Sequence, residues 1–414
     1  MSLIYSIFIH LYTLSARIAA WFNPKAKMWV DGRKDLFLGL EDALKKDKNE
    51  RKIAWFHCAS LGEFEQGRPV LEAFHKKYPG HRILLTFFSP SGYEIRYKYD
   101  QADWVFYLPA DTKTNARKFL DLVQPDLVFF IKYEYWFHYL EELSGRNIPV
   151  YIVSAIFRPK QHFFRWYGGW FRKQLKKITW FFLQDEESEN LLRSIGIEQG
   201  SVSGDTRFDR VFAIAGQAQE FPVIRQFSQD SKVILAGSTW PEDENILLPL
   251  QQEAGKKPRL IIAPHEVDRS RIDKLISTLS GNVIRYSEID GKDISGCDIL
   301  VIDSIGILAH LYQYATVAYI GGGFGSGIHN ILEAAAFGVP VIFGPEYSKF
   351  REARELISLG GAVSISNRLE FEAALHRFLI DPEHCKECSQ ICKNYINTKK
   401  GATQRILERL QKSV

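Results

Sequence analysis

The sequence contains 414 residues, of which 46% are hydrophobic and 25% charged, a balance typical of a folded, water-exposed protein. This length exceeds what one ordinary hydrophobic core organises, so we expect two domains. The net charge of only +4 gives no electrostatic reason for a nucleic-acid partner, and five cysteines are too few for a disulfide framework. The composition therefore predicts no nucleic-acid partner and a reducing compartment.

The first predicted element is an apolar helix at residues 3–22, followed by lysines and a tryptophan. The run is long enough to span a bilayer, but His10, Arg17 and several hydroxyl groups reduce its hydrophobicity. We expect residues 1–28 to be a membrane-anchoring helix that lies in the interface or makes a single span. Burial in the protein core is the alternative. The basic residues that follow would keep the rest of the chain on the cytoplasmic side. No convincing cleavage site follows the helix, so we do not expect a removed signal peptide.

Short apolar runs alternate with helical segments from residue 51 onwards, which is the pattern of a doubly wound parallel sheet. In the first domain, residues 29–215, strands are predicted at 53–58, 83–87, 103–108, 127–131, 150–153 and 180–184. A helix is predicted at 67–78, between the first two strands.

A second series of strands indicates a second domain, residues 216–414, of the same kind. These strands are predicted at 233–236, 260–263, 282–286, 299–302, 317–320 and 339–343, and residues 371–410 have helical periodicity. The join falls between residues 211 and 231, where periodicity is weak. The predicted fold class is α/β, with two doubly wound Rossmann-like domains and an N-terminal membrane-associated helix.

The segment 317–345, VAYIGGGFGSGIHNILEAAAFGVPVIFGP, combines a strand, a glycine-dense turn, a helix predicted at 328–337 and another strand. Glycines let the backbone approach a ligand closely, and N–H groups at a helix start suit a phosphate. Glu333, one turn inside that helix, could accept hydrogen bonds from two ribose hydroxyls, and His329 and Asn330 lie nearby. We expect a nucleotide-binding loop; a tight turn without a ligand is the alternative.

Charged side chains follow several predicted strands, at the edge where open α/β sheets bind ligands. Glu63 follows the first strand at the start of a helix, whose dipole stabilises a carboxylate anion, so it is a candidate general base. Glu134 follows the fourth strand, and Arg207 could neutralise an acidic substrate or a leaving phosphate. The alternatives are a helix-start charge for Glu63 and a surface ion pair for the other two. In the second domain, residues 237–240, 263–266 and 303–307 face the same edge as the glycine loop.

Two further segments carry a composition bias. Residues 158–177, RPKQHFFRWYGGWFRKQLKK, hold seven Lys or Arg and no acid, interleaved with six aromatics. Such a surface suits an anionic membrane or an acidic amphiphile, and an ordinary solvated helix is the alternative. His384, Cys385, Cys388 and Cys392 lie close together but lack a well-defined set of zinc ligands, so no metal site is predicted.

Six motifs occur in order along the chain: SLGEF, GDTRFD, AGSTWPEDE, APHEVDR, DSIGIL and GGGFGSGIHNILEAAAFGVPVIFGP. Together with the apolar N-terminus they resemble the Kdo transferases, the 3-deoxy-D-manno-octulosonic acid transferases of lipid A assembly. The resemblance covers nearly the whole chain from Leu3. The glycine segment with Glu333 is also similar across two-domain glycosyltransferases of the GT-B type.

This resemblance implies a GT-B architecture and an inverting glycosyltransferase at the cytoplasmic face of the cell inner membrane. Such an enzyme moves Kdo from CMP-Kdo to lipid IVA, a lipid A precursor, in lipopolysaccharide biosynthesis, with no cofactor and no metal. By matching motif, Glu63 would be the general base, and Glu134 and Arg207 would stabilise the transition state. The CMP-binding residues would be Pro264, His265, Ile305, Gly306, Ile307, Asn330, Ile331, Leu332 and Glu333.

The chain departs from the family pattern in three places. Pro-Arg-His is shortened to Pro264-His265, Glu-Thr-Glu-Leu-Trp-Pro becomes KYEYWF at residues 132–137, and the lysine of Lys-Phe-Asp becomes Arg207. Two alternatives stay open. One is another GT-B enzyme, such as a UDP-GlcNAc 2-epimerase or a GlcNAc transferase. The other is a membrane-tethered nucleotide-binding protein without catalysis.

Overall fold

The computed structural model describes residues 2–46, 52–229, 231–248, 258–294 and 296–411. The chain divides into two compact units. The first comprises Met1–Arg210 and Lys400–Val414, and the second comprises Val211–Lys399.

The first unit is built on one parallel sheet of seven strands. The strands are β1 (Lys52–Cys58), β2 (His81–Phe87), β3 (Trp104–Tyr107), β4 (Leu127–Ile131), β5 (Val150–Ala155), β6 (Trp180–Leu183) and β7 (Gly200–Val202). Their order is β3-β2-β1-β4-β5-β6-β7, which begins as a Rossmann sheet does. All but the edge strand β7 match predicted strands.

Helices cover both faces of this sheet. They are α1 (Ser2–Ala19), α2 (Pro24–Asp31), α3 (Leu36–Lys46), α4 (Leu61–Lys77), α5 (Pro90–Arg96), α6 (Lys113–Val123), α7 (Phe137–Gly145), α8 (Gly169–Leu175) and α9 (Glu186–Ser194). Since strand side chains alternate between faces, Trp55 of β1 packs in a core with α6 and α7, whereas Phe56 packs with α4 on the other side.

Helix α1 packs one face on the first unit and exposes an apolar face. Ile9 is buried beside Trp29 and Ala110, and Tyr5 Oη donates a 2.6 Å hydrogen bond to Asp111 Oδ2. Because Ile9 is the buried residue of this helix, the alternative of burial in the core is wrong. Among the described residues, α1 is the one helix long and apolar enough to cross a membrane by length and composition. Its exposed side chains include Leu3, Ile4, Ile7, Phe8, Leu11, Leu14 and Ile18.

Helix α10 (Thr206–Gly216) crosses the division between the units, and the second unit has its own parallel sheet of seven strands. The strands are β8 (Val233–Thr239), β9 (Arg259–Pro264), β10 (Val283–Arg285), β11 (Ile299–Val301), β12 (Val317–Ile320), β13 (Val341–Phe343) and β14 (Ala362–Ser364). Their order is β10-β11-β9-β8-β12-β13-β14. The predicted fold class of two doubly wound α/β sheets is confirmed, although the edge strand β14 was not predicted.

The helices of the second unit include a short one after the glycine loop. They are α11 (Pro222–Ser228), α12 (Pro241–Leu247), α13 (Arg269–Thr278), α14 (Leu308–Leu311), α15 (Leu332–Ala336), α16 (Arg351–Leu359), α17 (Arg368–Ile380) and α18 (Pro382–Lys399). The helix predicted at 328–337 is wrong in its extent, because α15 spans only Leu332–Ala336. The preceding backbone folds back instead: the N–H groups of Gly327 and His329 donate to the carbonyls of Gly322 and Gly321.

The last helix, α19 (Ala402–Leu410), belongs to the first unit. Ile406 and Leu410 are fully buried in the same core as α4. The predicted domain limits differ from this division in two respects. The division falls after Arg210 rather than after residue 215, and residues 400–414 lie with the first unit because these apolar side chains complete its core.

Candidate active site

Glu63 lies at the carboxyl edge of the first sheet, as the third residue of α4. The helix begins six residues before the predicted start at 67, so Glu63 is in its first turn. Ser60 Oγ donates a short hydrogen bond to Glu63 Oε2, which fixes the carboxylate. Burial raises the pKa of the Cys58 thiol, and Glu63 and Glu134 raise it further. Both carboxylates therefore lie close to the end of β1.

Glu134 lies in the loop between β4 and α7 and is 7% exposed. Trp136 Nε1 donates a 2.6 Å hydrogen bond to Glu134 Oε2. The fully buried His57 has its Nε2 atom 3.3 Å from the same oxygen. The loop turns sharply at Lys132, whose φ of 71° is left-handed. Glu134 is thus a buried, held carboxylate, and the surface ion pair considered from sequence is wrong for it.

Arg207, at the start of α10, is held by the residue two positions before it. Its Nε and Nη2 atoms lie 2.9 and 2.7 Å from Asp205 Oδ2, and its backbone N–H donates to Asp205 Oδ1. The Arg207 side chain is 31% exposed and that of Asp205 is 8% exposed. A buried carboxylate therefore fixes the direction of a guanidinium that still reaches solvent.

Tyr133 shows that these loops meet at one edge. Burial raises the pKa of its hydroxyl; among the neighbouring charges Arg158 and Arg207 lower it, and Glu63 and Asp185 raise it. These residues follow β1, β4, β5, β6 and β7, whose carboxyl ends share one edge of the sheet. The expectation that charged residues after strands line the ligand-binding edge of the sheet selected Glu63, Glu134 and Arg207 from the sequence. It missed Tyr133 and Asp185, although Asp185 directly follows an apolar run.

In the second unit, a buried aspartate organises the glycine loop. Asp243 Oδ2 accepts hydrogen bonds from the backbone N–H groups of Gly322 and Trp240 at 2.8 and 2.9 Å, and Oδ1 accepts from Tyr319 Oη at 2.9 Å. Burial raises the pKa of Asp243, while these three donors lower it. A Cβ atom at Gly321 would lie 2.2 Å from a backbone oxygen, so that position requires glycine. Asp243 was not predicted, although it lies in the AGSTWPEDE motif.

Three stacked rings stand beside this loop. The exposed His265 has its ring centroid 4.8 Å from that of Trp240 and 4.4 Å from that of His329. Trp240 Nε1 donates a 3.1 Å hydrogen bond to His329 Nε2. Burial and the neighbouring His265 lower the pKa of His329 to about 4, so the ring is neutral at pH 7 and can accept this bond. Of the three, only His265 was among the predicted binding residues.

The remaining predicted binding residues have different environments. Asn330 Nδ2 donates a 2.9 Å hydrogen bond to Glu333 Oε1, and Asn330 Oδ1 accepts from the backbone N–H of Leu332. Ile331 and Leu332 are buried, so they can offer a ligand only backbone groups. Pro264 is buried at the end of β9. Residues 305–307 follow β11, which β9 and β8 separate from β12; Ile305 and Gly306 are exposed and Ile307 is half-buried.

Within the described ranges, no three His, Cys, Asp or Glu side chains are grouped to hold a metal ion. In the C-terminal cysteine cluster, Cys388 Sγ lies 3.7 Å from His384 Nε2, and Cys392 Sγ contacts a backbone carbonyl.

Comparison with known proteins connects this arrangement to a family. Residues 38–210 match the family model of the 3-deoxy-D-manno-octulosonic-acid transferases (kdotransferases). A 3-deoxy-D-manno-octulosonic acid transferase of Chlamydophila psittaci is 28% identical over 350 residues, covering 81% of this chain and 79% of the relative. One from Rickettsia felis is 26% identical over 402 residues, covering 94% and 85%. One from Aquifex aeolicus is 26% identical over 340 residues, covering 80% and 87%.

Solved structures share the fold at low sequence identity. A UDP-GlcNAc 2-epimerase from Neisseria meningitidis has a TM-score of 0.58 and 18% identity, covering 87% of this chain and all of the epimerase (100%). MurG from Acinetobacter baumannii has a TM-score of 0.51 and 13% identity, covering 87% and 99%. Identities this low establish the fold alone. Taken with the sequence matches, the chain is a glycosyltransferase related to the Kdo transferases, with a GT-B-like fold.

Proposed function

We propose that this enzyme transfers Kdo from CMP-Kdo to a hydroxyl group of lipid IVA, with inversion at the anomeric carbon. The observation that carries the proposal is the arrangement of Glu63, Glu134 and Arg207 at one sheet edge, in a chain whose relatives are named Kdo transferases. Ser60 donates a hydrogen bond to Glu63, and Trp136 donates one to Glu134. Arg207 donates to Asp205.

In the proposed reaction, the acceptor oxygen attacks the anomeric carbon of Kdo while Glu63 takes the hydroxyl proton. The bond from that carbon to the phosphate oxygen breaks, and CMP leaves with the electron pair. Glu134 faces the cationic sugar as the bond breaks, and Arg207 neutralises the sugar carboxylate or the departing phosphate. CMP is a good leaving group, so positioning and charge stabilisation suffice in principle and no divalent metal is required.

The CMP moiety is assigned to the second unit. The neutral His329 and the Trp240 ring support His265 as a flat surface for the nucleotide, and Asn330 with Glu333 offers polar groups for the ribose hydroxyls. Gly321 and the anchoring Asp243 keep the backbone of the loop open to close approach. The family pattern Pro-Arg-His is shortened here to Pro264-His265, so we assign the phosphate to backbone N–H groups of the loop.

We further propose that α1 lies along the cytoplasmic face of the inner membrane. Its inner face is docked on the first unit through Tyr5, Ser6 and Ile9, which leaves its apolar outer face for lipid. The neighbouring basic aromatic stretch exposes Trp166 at 92%, and Trp170 contacts Tyr5. The acyl chains of the acceptor would lie beside this surface.

The decisive experiment is a transfer assay with CMP-Kdo, generated in place, and lipid IVA in detergent, followed by mass spectrometry of the product. Glu63→Gln should lose transfer by at least about 1,000-fold, because it removes the general base. The matched control is Glu65→Gln on the same helix, where Glu65 is paired with Arg96 and Arg210; it should keep near wild-type activity. Full activity in Glu63→Gln would refute the mechanism. Consumption of UDP-GlcNAc but not CMP-Kdo would instead identify another GT-B reaction.

A further inference from the structure

We propose that a cavity beside α1 binds the phosphate group of an anionic membrane lipid. The cavity has a volume of about 400 Å³, within the range of small-ligand sites, and lies in the first unit between α1, α2, α3 and the loop after β3. None of Glu63, Glu134 and Arg207 lines it. The inference rests on the proposed contact of α1 with the inner membrane, but it does not depend on the transfer reaction.

The described lining of the cavity is basic and contains no acid. Its charged side chains are Arg17, Arg33 and Lys34. The two exposed members of the lining, Arg17 and Lys34, are both basic. Lys34 forms an ion pair with Asp31 at 2.6 Å, whereas Arg17 has no ion-pair partner in the described part of the chain. An anion that enters past these side chains therefore meets positive charge and no carboxylate in the lining.

Among the described residues, Arg33 has no acidic partner, although burial disfavours its positive charge. Its Nε, Nη1 and Nη2 atoms donate to the backbone carbonyls of Leu108, Trp29 and Phe88 at 2.9, 2.9 and 2.8 Å. Burial lowers the pKa of Arg33 to about 9, so the side chain remains a cation at pH 7. Backbone carbonyls carry no full negative charge, and a guanidinium has five N–H donors. These three bonds therefore leave both a charge and donors for an anion.

The indole N–H of Trp29 is a second group that a ligand would satisfy. Trp29 lines the cavity and is 7% exposed, and among the described residues its Nε1 atom has no hydrogen-bond partner. Buried indole N–H groups normally find an acceptor. A phosphate oxygen is an acceptor that also carries the charge opposite to that of Arg33. Because the Arg33 guanidinium lies 4.0 Å from the centroid of the Trp29 ring, one phosphate group can serve both residues.

The surroundings of the cavity favour a lipid over a soluble phosphate. Part of the wall is apolar and comes from α2 and α3, through Val30, Leu36 and Phe37. The turn between α1 and α2 exposes Trp21 at 79% and Phe22 at 83%, which is typical of residues at a membrane interface. A basic entrance with apolar walls matches a phosphate followed by the first methylene groups of a lipid. The inferred ligand is therefore an anionic lipid rather than a free anion.

Native mass spectrometry of the full-length protein, released from nanodiscs of phosphatidylglycerol and phosphatidylcholine in equal amounts, tests the site. Wild type should retain one phosphatidylglycerol. Arg17→Gln should lower the retained fraction at least about 5-fold, which is the contribution of one basic residue beside anionic lipid. The control is Lys27→Gln, which removes the same charge from an exposed residue of α2 outside the lining and should retain lipid as wild type does.

A parallel sample with lipid IVA in the nanodiscs distinguishes two sources of the phosphate. Retention of lipid IVA in place of phosphatidylglycerol, lost in Arg17→Gln, would identify the phosphate as that of the acceptor. No preference of wild type for either anionic lipid over phosphatidylcholine would overturn the proposal. An equal loss of lipid in Arg17→Gln and Lys27→Gln would also overturn it.

A second measurement leaves the surface charge unchanged. In protein with ¹⁵N-labelled tryptophan, the Trp29 indole resonance is assigned by its absence in Trp29→Phe. This resonance should shift when the retained anionic lipid replaces phosphatidylcholine in the nanodiscs. An unchanged resonance with both phosphatidylglycerol and lipid IVA would overturn the site.

These results separate the lipid site from the proposals above. Retention of phosphatidylglycerol by a protein that transfers no Kdo would refute the proposed function and leave the lipid site standing. Wild-type protein that sediments with anionic vesicles but retains neither phosphatidylglycerol nor lipid IVA would overturn the lipid site and leave the membrane contact of α1.

Discussion

The docking of α1 on the first unit should depend on pH through one buried carboxyl, that of Asp111. It accepts hydrogen bonds from Tyr5 Oη at 2.6 Å and from the backbone N–H groups of His138 and Tyr139 at 3.1 and 3.0 Å. Burial outweighs these donors and raises the pKa of Asp111 from 3.8 to about 6. The folded protein therefore binds this proton more tightly than the unfolded chain does.

The sign and size of the effect follow from that difference. The stability that this carboxyl contributes is complete below pH ~4 and is lost as the pH rises through about 6. A difference of about two pKa units corresponds to roughly 3 kcal/mol, or about 6–12 °C in melting temperature for a unit of this size. Asp111→Asn removes the titration. Between pH 4 and 7, the melting temperature of the wild type minus that of the variant should therefore fall by this amount.

The assay is thermal unfolding of both proteins in the same detergent at half-unit pH steps. Tyr5→Phe is the informative companion, because the Tyr5 hydrogen bond lowers the pKa of Asp111. Its removal should move the transition to higher pH. Parallel profiles for wild type and Asp111→Asn would refute the reasoning, because they would mean that the carboxyl is not buried beneath α1 in solution.

Three further predictions concern the loop and the helix. Gly321→Ala should weaken CMP binding, measured by calorimetry, at least 10-fold, because the added Cβ atom would lie 2.2 Å from a backbone oxygen. Gly325→Ala is the control and should bind CMP normally, because the nearest atom to its added Cβ would lie at 3.7 Å. Asp243→Ala should lower the unfolding free energy by at least about 3 kcal/mol in denaturant titrations, because three buried donors lose their acceptor. Phe8→Gln with Leu11→Gln should reduce sedimentation with anionic vesicles at least 10-fold, since both side chains are exposed; unchanged binding would refute a lipid contact.

The central strands were predictable because each is a run of apolar residues between turns, as in Leu127–Ile131, which the structure reproduces without shift. The edge strands β7 and β14 were missed because each has only three residues and contains serine. The helix predicted at 328–337 is longer than the helix in the structure. Its periodicity is helical, but the hydrogen bond from His329 N–H to the glycine loop competes and delays the helix until Leu332.

The charged residues of the site were predictable from their places after strands, but their supports were not. Glu63 and Glu134 each follow an apolar run that is read as a strand, and residues after the strands of an open α/β sheet are expected to line its ligand-binding edge. His57 lies within such a run and appears in the sequence only as one more strand residue. Trp240 and Asp243 appear as a helix start. Their roles depend on contacts across the sheet, which sequence spacing does not encode.

Each sheet has one register shift close to these groups. Pairing of β5 with β6 shifts register next to Ser154, and pairing of β8 with β9 shifts next to Ser238; both serines have left-handed φ angles, 55° and 54°. Bulges re-aim side chains and are common beside active sites, and left-handed serines cost of order 1 kcal/mol each. Ser154 Oγ lies 2.8 Å from Thr206 Oγ1, directly before Arg207, and Ser238 lies two residues before Trp240. The strained serines therefore lie beside the segment that carries Arg207 in one unit and beside the segment that carries Trp240 in the other.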